Sequence, residues 1–318
     1  MEMRQLGTSQ VKITPIVLGT WAMGGLYWEE PDDSASIAAI QKAMELGLRT
    51  FDTAETYGFG RSETVLGKAL EGVPRDRYIM ISKCKYHYTR DEMRASLEAS
   101  LERLRTDYLD VYFIHRPPQP DTVSIEEAME NIQRLRQEGL IRAVGVSNFN
   151  TEQLRQAETM GAVDVIQPCY NLLWRYEDAS LLPYCRRKNI GVITYSSLAQ
   201  GLLTGAYQAD TPVTGGRAKA ALFQPGVYEK CLQVTEVLKQ CAAKYGKTPA
   251  QGAINWLAHT PGLTAPIVGG TTAQQVAENM DAFGWQFSPE DYQAIDNASQ
   301  AFMASIPNFT SFFSTDQA

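Results

Sequence analysis

The sequence predicts an α/β protein whose strands and helices close into a (β/α)8 TIM barrel, and three observations lead to this fold class. Short β-branched runs alternate with helical stretches along nearly the whole chain of 318 residues. Eight such runs spread over about 250 residues, which is the repeat number and length of a closed barrel. Apolar residues make up 44% and charged residues 20%, so the chain can fill a core. A doubly wound sheet remains compatible with the alternation alone.

The eight predicted strands share an apolar, β-branched centre between polar or turn-forming neighbours. In order they are 13–19, 49–53, 78–84, 110–115, 143–147, 163–168, 191–196 and 264–268. The stretches between them carry apolar residues at the i, i+3, i+4 spacing of amphipathic helices, as in 91–104, 124–137, 249–258 and 273–283. Ser288 is predicted to cap one further helix that begins at Pro289.

Three segments fall outside this repeat, and each has a predicted role. Residues 3–6 and 11–13 flank a Gly-Thr-Ser turn and predict an N-terminal β-hairpin that covers the barrel floor. Residues 199–228 form a long loop after the seventh strand, and loops of this length are typically lids or disordered. The aromatic tail 301–318 packs on its own barrel or covers the mouth of a pocket. We expect one domain over 1–318.

Charge and cysteine content exclude several classes of partner. The chain has 29 Lys+Arg against 36 Asp+Glu, a net charge of −7, and no basic cluster, so we expect no nucleic-acid partner. No apolar run is long enough to span a membrane, and the first ten residues lack an apolar signal region, so we expect a cytoplasmic protein. The five cysteines form no CxxC pair, so we expect reduced thiols and no metal site.

Polar side chains follow the apolar runs at three neighbouring strand ends. Asp52 closes the second predicted strand, Lys83 the third and His115 the fourth, and Tyr57 lies in the loop after the second. Active sites of (β/α)8 barrels lie at the C-terminal ends of the strands. We therefore expect these four residues to meet on one face.

The four residue types suit proton delivery to a carbonyl oxygen. A phenol has a reference pKa of about 10, and an adjacent ammonium stabilises the phenolate, so we expect Lys83 to lower the pKa of Tyr57. Asp52 is the counter-ion that keeps Lys83 protonated in a partly desolvated cleft. His115, when neutral, can donate a hydrogen bond to a substrate carbonyl and orient it.

These residues and the motifs around them resemble the aldo-keto reductase family over nearly the whole chain. The motifs are Asp52–Gly58 (DTAETYG), Ser62-Glu63, Lys83, Asp110–His115, Gly139–Phe149 (GLIRAVGVSNF), Gln167, Tyr195–Leu198, Gly201–Gly205, Gly269-Gly270, Gln275 and Glu278-Asn279. The resemblance implies a reduced nicotinamide cofactor that passes a hydride to the carbonyl carbon of a small-molecule substrate. In that reaction Tyr57 gives its proton to the carbonyl oxygen.

The resemblance also implies which residues hold the cofactor. Ser147, Asn148 and Gln167 match the carboxamide binders, and Tyr195 matches the ring that stacks on the nicotinamide. The residues matching the pyrophosphate contacts are Ser196, Leu198 and Gly201, and those matching the adenosine contacts are Gln275, Glu278 and Asn279. The implied cofactor set further includes Gly19, Thr20, Trp21, Arg217, Gly269 and Thr271.

Two departures from the family pattern concern NADPH against NADH. The family often has Lys or Arg where this chain has residues 269–272, and Gln275 replaces an Arg that stacks on adenine. Backbone amides and threonine hydroxyls at 269–272 can bind a phosphate instead, as can Arg217 or Lys219. NADPH is therefore the expected cofactor, with NADH as the alternative.

Aromatic residues in the loops after the first and sixth strands are predicted to wall the substrate pocket. They are Trp21, Trp28 and Trp174. His87 and His259 are interpreted as core histidines. Whether the chain forms a homo-oligomer is left open.

Three rival functions remain at this point. Lys83 could form a Schiff base in an aldolase, but Asp52 nearby would raise its pKa when this chemistry needs a low one. Asp52, Glu55 and His115 could bind a metal in a hydrolase, but the Lys83 cation would repel it. A nicotinamide-bound regulatory module, similar to the β subunits of potassium channels, is the non-enzymatic alternative.

Overall fold

The computed structural model describes residues 1–25, 31–119 and 122–313. Within these residues eight parallel strands close into a barrel, in which each strand pairs with its neighbours in chain order and the last returns to the first. The strands are β3 (Val17–Gly19), β4 (Thr50–Asp52), β5 (Ile79–Cys84), β6 (Leu109–Ile114), β7 (Ile141–Ser147), β8 (Val165–Gln167), β9 (Gly191–Thr194) and β10 (Ala265–Gly269). The predicted (β/α)8 barrel is confirmed.

Helices follow the strands as the amphipathic pattern predicts. They are α1 (Asp33–Glu45), α2 (Arg61–Ala69), α3 (Arg90–Leu104), α4 (Ile125–Gln137), α5 (Thr151–Glu158), α6 (Leu181–Lys188), α7 (Tyr228–Ala243), α8 (Pro249–His259), α9 (Ala273–Met280) and α10 (Pro289–Ser305). Ser288 caps α10 by accepting a hydrogen bond from the Asp291 amide, as predicted. Helix α9 ends three residues earlier than the predicted 273–283, because the amides of 281–283 bond three residues back in tight turns.

The predicted N-terminal hairpin is present as β1 (Arg4–Gln5) paired antiparallel with β2 (Lys12–Ile13). It lies at the N-terminal ends of the last strands, where Arg4 Nη1 donates to the Thr264 carbonyl at 2.8 Å. Gly7, with φ +59°, approaches so closely that a Cβ there would lie 2.1 Å from the Asp164 carbonyl oxygen. The hairpin therefore contacts the barrel floor.

Contacts between residues group the described chain into two compact units. The barrel unit comprises the described residues of 1–168, 178–193 and 262–277, and the second unit those of 169–177, 194–261 and 278–318. The prediction of one domain over 1–318 stays a prediction. In the part of the chain that the structure describes, no helix is both long and apolar enough to cross a bilayer.

The second unit contains the long segment after β9 and the aromatic tail. Three short 3-10 turns, Ala199–Thr204, Gly215–Lys219 and Ala221–Phe223, lead from the segment into α7. The tail packs within the same unit: Phe309 and Phe312 are buried, and the Ala221 amide donates to the Phe312 carbonyl at 3.3 Å. The long loop is confirmed, and its action as a lid stays a prediction.

Candidate active site

The four residues predicted at the strand ends come together in the barrel unit. Asp52 ends β4, Lys83 is the penultimate residue of β5, and His115 directly follows β6. Because β4, β5 and β6 are paired in register, their C-terminal ends lie side by side. Tyr57 enters from the loop between β4 and α2.

Lys83 is the centre of this group and is fully buried. Its Nζ donates to Asp52 Oδ1 at 2.6 Å, to the Thr53 carbonyl at 2.8 Å and to Tyr57 Oη at 3.4 Å. An ammonium has three N–H donors, so all of them are used. A side chain held in this way is not presented as a free amine, which argues against the aldolase alternative on grounds of access.

The carboxylate of Asp52 is occupied on both oxygens. Oδ1 pairs with Lys83, and Oδ2 accepts a hydrogen bond from Gln167 Nε2 at 2.8 Å. A buried carboxylate is stable as an ion when its lone pairs are satisfied in this manner. Gln167, on β8, therefore orients Asp52 from across the barrel.

The predicted lowering of the Tyr57 pKa is wrong. Burial raises the pKa of Tyr57 well above its usual value, and the charge of Asp52 raises it further. The physical reason is desolvation: the fully buried phenol would lose more hydration on ionising than its surroundings return. Tyr57 consequently keeps its proton at neutral pH.

The pKa of Lys83 is lowered, whereas the sequence predicts that Asp52 raises it. Burial lowers the pKa of Lys83, and this outweighs the carboxylates of Asp52 and Glu63, which act to raise it. The expected upward effect of Asp52 is present, but desolvation is larger because the side chain is completely enclosed. The aldolase is disfavoured by the three engaged N–H groups rather than by the pKa.

His115 supplies a neutral imidazole next to Tyr57. Burial lowers the pKa of His115 well below its usual value, with further lowering by the charges of Lys83, Lys85 and Arg116. Its buried Nδ1 has no hydrogen-bond partner among the described residues. Because an unpaired buried N–H is rarer than an unpaired acceptor, we place the single proton of the ring on Nε2. His115 Nε2–H is then a donor for a bound ligand.

Tyr57 lies between two further rings. Its ring centroid is 5.9 Å from that of His115, with an edge-to-face angle of 77°, and 6.3 Å from that of Trp21. Trp21 is half-buried, so part of its indole remains accessible beside Tyr57. Trp28, the second predicted wall residue, lies outside the described residues.

Hydroxyl groups behind the site connect the ends of β3 and β4 to the start of α2, and the sequence interpretation missed their role. Ser62 Oγ lies 2.6 Å from Thr20 Oγ1 and 2.9 Å from Thr53 Oγ1, and Thr20 Oγ1 donates to the Asp52 carbonyl at 3.0 Å. All three side chains are buried. Thr20, predicted to contact the cofactor, thus has its hydroxyl in this network. The Ser62-Glu63 motif was the available signal.

The residues expected to bind the nicotinamide carboxamide also lie together in the barrel unit. Ser147 Oγ donates to the Gln167 carbonyl at 2.7 Å, and Asn148 Nδ2 donates to the His115 carbonyl at 2.9 Å. Asn148 adopts φ +62°, a conformation that asparagine tolerates better than most residues. Neutral hydroxyl and amide groups beside Asp52, Tyr57, Lys83 and His115 fit a neutral carboxamide.

Residues 269–275, which are expected to bind the adenosine phosphate, form hydrogen bonds with one another. Gln275 Oε1 accepts hydrogen bonds from the Thr271 amide at 2.9 Å and from Thr271 Oγ1 at 3.2 Å. Gly269, at the end of β10, pairs with Gly19 at the end of β3. The Thr271 donors that could replace the family's cation are therefore already used by Gln275.

The remaining candidates belong to the second unit. Ser196, with φ +56°, and Gly201, with φ +102°, border a strained turn in which the Ala199 amide donates to the Ser196 carbonyl at 2.7 Å. Tyr195 stacks on Phe313 of the tail, with centroids 6.3 Å apart and planes 9° apart. Leu198 accepts the Gly201 amide at 2.9 Å.

Three charged or amide candidates and one tryptophan also lie in the second unit. Arg217 Nε donates to the Gln200 carbonyl at 3.1 Å, and the Glu278 carbonyl accepts from Gln251 Nε2 at 3.0 Å. Asn279 lies in the last turns of α9. Trp174 is only 4% exposed and packs edge-on against Tyr176 and Phe312. Its role as a substrate wall stays a prediction.

The described residues contain no group of three or more His, Cys, Asp or Glu side chains placed to hold a metal. Glu55, one of the considered ligands, accepts the Lys85 amide at 2.6 Å and the Ser96 hydroxyl. All five cysteines are buried and unpaired by disulfides. The metal-dependent alternative therefore has no ligand set in the part of the chain that is described.

Comparison with known proteins gives consistent matches along the chain. The family model "Aldo/keto reductase family" matches residues 15–300. Aldo-keto reductase YhdN of Bacillus subtilis is 34% identical over 309 residues, covering 93% of both proteins. An NADH-specific methylglyoxal reductase of Escherichia coli is 32% identical over 318 residues, covering 93% of this chain and 98% of that protein.

Solved structures match the fold at similar identity. A glycerol dehydrogenase from Gluconobacter oxydans has a TM-score of 0.87 and 31% identity, with 98% of both chains covered. An aldo/keto reductase from Klebsiella pneumoniae in complex with NADP and acetate has a TM-score of 0.77 and 28% identity, with both chains fully covered.

Proposed function

The chain belongs to the aldo/keto reductase family, and from this premise we propose that it reduces an aldehyde or a ketone with a reduced nicotinamide dinucleotide. One observation carries the proposal. The Tyr57 phenol lies 3.4 Å from a fully engaged Lys83 ammonium, with the neutral His115 ring beside it. This places a proton donor, a charge that stabilises its conjugate base and a second hydrogen-bond donor in one cleft.

The residues of this chain handle the substrate oxygen and its proton. Tyr57 keeps its proton until the substrate oxygen becomes negatively charged, because the raised pKa opposes earlier ionisation. Nε2–H of His115 donates a second hydrogen bond to the same oxygen and lowers the energy of the charged transition state. Once the proton has left Tyr57, the phenolate is stabilised by Lys83.

Asp52 and Gln167 act through Lys83. Asp52 holds the ammonium at 2.6 Å, and Gln167 fixes the other carboxylate oxygen at 2.8 Å. Protonation of the phenolate afterwards restores the starting state of Tyr57. General acid catalysis of this kind contributes about 10² to 10⁴ in rate.

The bound dinucleotide would supply the hydride that reaches the carbonyl carbon. Ser147, Asn148 and Gln167 would hold its carboxamide, since they offer neutral donors and acceptors at adjacent strand ends. Tyr195 would stack on its ring, and the residues proposed for the adenosine end are Gln275, Glu278 and Asn279. Glu278 is the one charged side chain in this set.

For the choice of dinucleotide we propose NADH ahead of NADPH, which replaces the preference drawn from the sequence. Gln275 already occupies the Thr271 amide and hydroxyl, and residues 269–275 contain no Lys or Arg to bind a 2′-phosphate. The relative from Escherichia coli is named as NADH-specific. The complex of the Klebsiella pneumoniae relative with NADP supports the opposite choice, so the two cofactors must be compared directly.

The test is cofactor consumption by the purified protein, with NADH and NADPH offered separately and a panel of small and aromatic aldehydes as substrates. Consumption with a higher kcat/KM for NADH is the expected result. Equal or better use of NADPH would contradict the cofactor choice but not the reductase. Binding without consumption of either would contradict the reductase and support the regulatory alternative, which draws no support from the relatives described above.

A further inference from the structure

A second buried carboxylate, Glu63, lies behind the catalytic group and has no part in the reaction described above. It occupies the third position of α2 and is fully buried. Ser82 Oγ donates to its Oε1 at 2.5 Å, and Arg103 Nε donates to its Oε2 at 2.7 Å. Both oxygens are therefore held, one by β5 and one by α3.

The hydrogen bond from Ser82 links Glu63 to the strand that carries Lys83. Ser82 directly precedes Lys83 on β5, and successive side chains of a strand point to opposite faces. Glu63 therefore holds the strand from the helix side while Lys83 points toward Asp52 and Tyr57. Ser62, the residue before Glu63, contacts Thr53 Oγ1 at 2.9 Å, and the Thr53 carbonyl accepts one of the Lys83 N–H groups.

Ser62 and Glu63, at the start of α2, are thus each linked to Lys83 through one intervening residue. Ser62 holds the residue whose carbonyl is a Lys83 acceptor, and Glu63 holds the backbone from which Lys83 extends. We propose, on the basis of the proposed function, that Glu63 is a positioning residue that orients Lys83 toward Tyr57 through Ser82 and the Arg103 pair.

The fold makes room for this arrangement at specific positions. A Cβ on Gly60, at the N-terminus of α2, would lie 2.6 Å from the Arg103 side chain, and one on Gly67 would lie 2.5 Å from the Arg103 carbonyl oxygen. Glycine at both positions lets α2 and the end of α3 approach each other. The helix N-terminus also favours a negative side chain at Glu63.

Electrostatics supports the same role. The Glu63 carboxylate acts to raise the pKa of Lys83, against the lowering by burial. Tyr57 has its pKa raised and Lys83 its pKa lowered, so Lys83 is the first of the two to lose a proton as the pH rises. Loss of activity on the alkaline side is therefore expected to follow Lys83.

The test compares Glu63→Gln with Asp110→Asn, a matched variant. Asp110 is a buried carboxylate paired with Arg75 and Arg142 at the opposite end of the strands. Glu63→Gln is expected to lower kcat about tenfold, to leave the substrate KM within about twofold, and to move the alkaline limb of the kcat profile to lower pH. Asp110→Asn is expected to lower stability and to leave that limb in place.

The proposal would be overturned if the alkaline limb of the kcat profile does not move in Glu63→Gln, or if it moves equally in Glu63→Gln and Asp110→Asn. Titration of the Lys83 Cε chemical shift in lysine-labelled protein tests the same point without turnover. If the wild type consumes no cofactor, the proposed function fails, whereas an unmoved Lys83 titration in Glu63→Gln overturns only the positioning role.

Ser82→Ala provides a second variant in case Glu63→Gln does not fold. It keeps the carboxylate charge and removes its hydrogen bond to β5. We expect kcat to fall about threefold with the alkaline limb unmoved. An unchanged kcat would show that Glu63 does not act through Ser82.

Discussion

The two ends of the barrel strands carry buried ion pairs of different kinds. At the N-terminal ends, Asp110 accepts the Met80 amide at 2.9 Å and Arg75 at 2.7 Å, and Asp164 accepts the Val144 amide at 2.9 Å and Arg136 at 3.1 Å. These carboxylates tie neighbouring strands together. At the C-terminal ends the corresponding pair is Asp52 with Lys83, whose third N–H points to Tyr57.

The two kinds of ion pair differ in whether the cation is enclosed and can exchange a proton with a neighbour. An arginine does not release its proton in a protein, and its partly exposed guanidinium keeps contact with water. Lys83 is enclosed and shares a hydrogen bond with a titratable phenol. The same class of ion pair therefore ties strands together at one end and, in the mechanism we propose, supports proton transfer at the other, where (β/α)8 enzymes have their active sites.

The largest expected effect separates chemistry from binding at the C-terminal end. Tyr57→Phe removes the proton donor and little else, so we expect kcat to fall by about 10² to 10⁴ while the dissociation constant of the cofactor stays within about twofold. Stopped-flow turnover and fluorescence titration of the cofactor measure the two quantities. Near-normal turnover would remove Tyr57 from the mechanism.

Breaking a pair at the N-terminal end should affect stability instead. Asp110→Asn leaves the two arginines without a full charge partner, and because both are partly exposed we expect a loss of about 2 kcal/mol in the free energy of unfolding. Urea denaturation gives this value, and kcat of the folded variant should stay within about twofold. A large fall in kcat would contradict the view that ion pairs at the N-terminal ends of the strands contribute to stability alone.

A third variant tests the residues proposed to bind the cofactor at the C-terminal ends of the barrel strands. Gln275→Arg removes the oxygen that occupies Thr271 and adds a cation, so we expect the affinity for NADP⁺ to rise about tenfold while that for NAD⁺ changes little. Isothermal titration with each dinucleotide checks this. Gln275→Glu, which retains an acceptor for Thr271 but adds a negative charge, is the control and should not gain affinity for NADP⁺.

The smallest expected effect concerns pH and His115. The pKa of His115 is depressed in the folded protein, so the unfolded chain binds more protons below about pH 6.5 and the folded state loses stability as the pH falls through that range. His115→Gln should flatten this part of the profile of unfolding free energy against pH. Chemical denaturation at a series of pH values from 7.5 downward gives this profile. If its slope is the same in His115→Gln as in the wild type, His115 is not the group that causes the loss of stability.

The fold and the placement of Asp52, Lys83 and His115 at neighbouring strand ends could be predicted because they depend on periodicity. Apolar runs define the strands, and a polar residue at the end of such a run, as with Asp52, Lys83 and His115, reaches the active face in any closed barrel. The confirmed cap at Ser288 likewise needs only local sequence.

Hydrogen-bond partners and the direction of pKa shifts could not be predicted in this way. The raised pKa of Tyr57 follows chiefly from burial of the phenol and then from the charge of Asp52, and the depth of burial depends on how the chain packs around it. The pairing of Gln275 with Thr271 and of Glu63 with Ser82 depends on side-chain conformations that no spacing rule fixes. Such partners become visible only when distances are known.

The contact between the hairpin and the last strands has a consequence for folding. Arg4 bonds the carbonyl of Thr264, 260 positions later in the chain, and Gly7 packs against Asp164 and the start of β9. Because contacts between residues so distant in sequence form slowly, we expect the barrel floor to close late in folding.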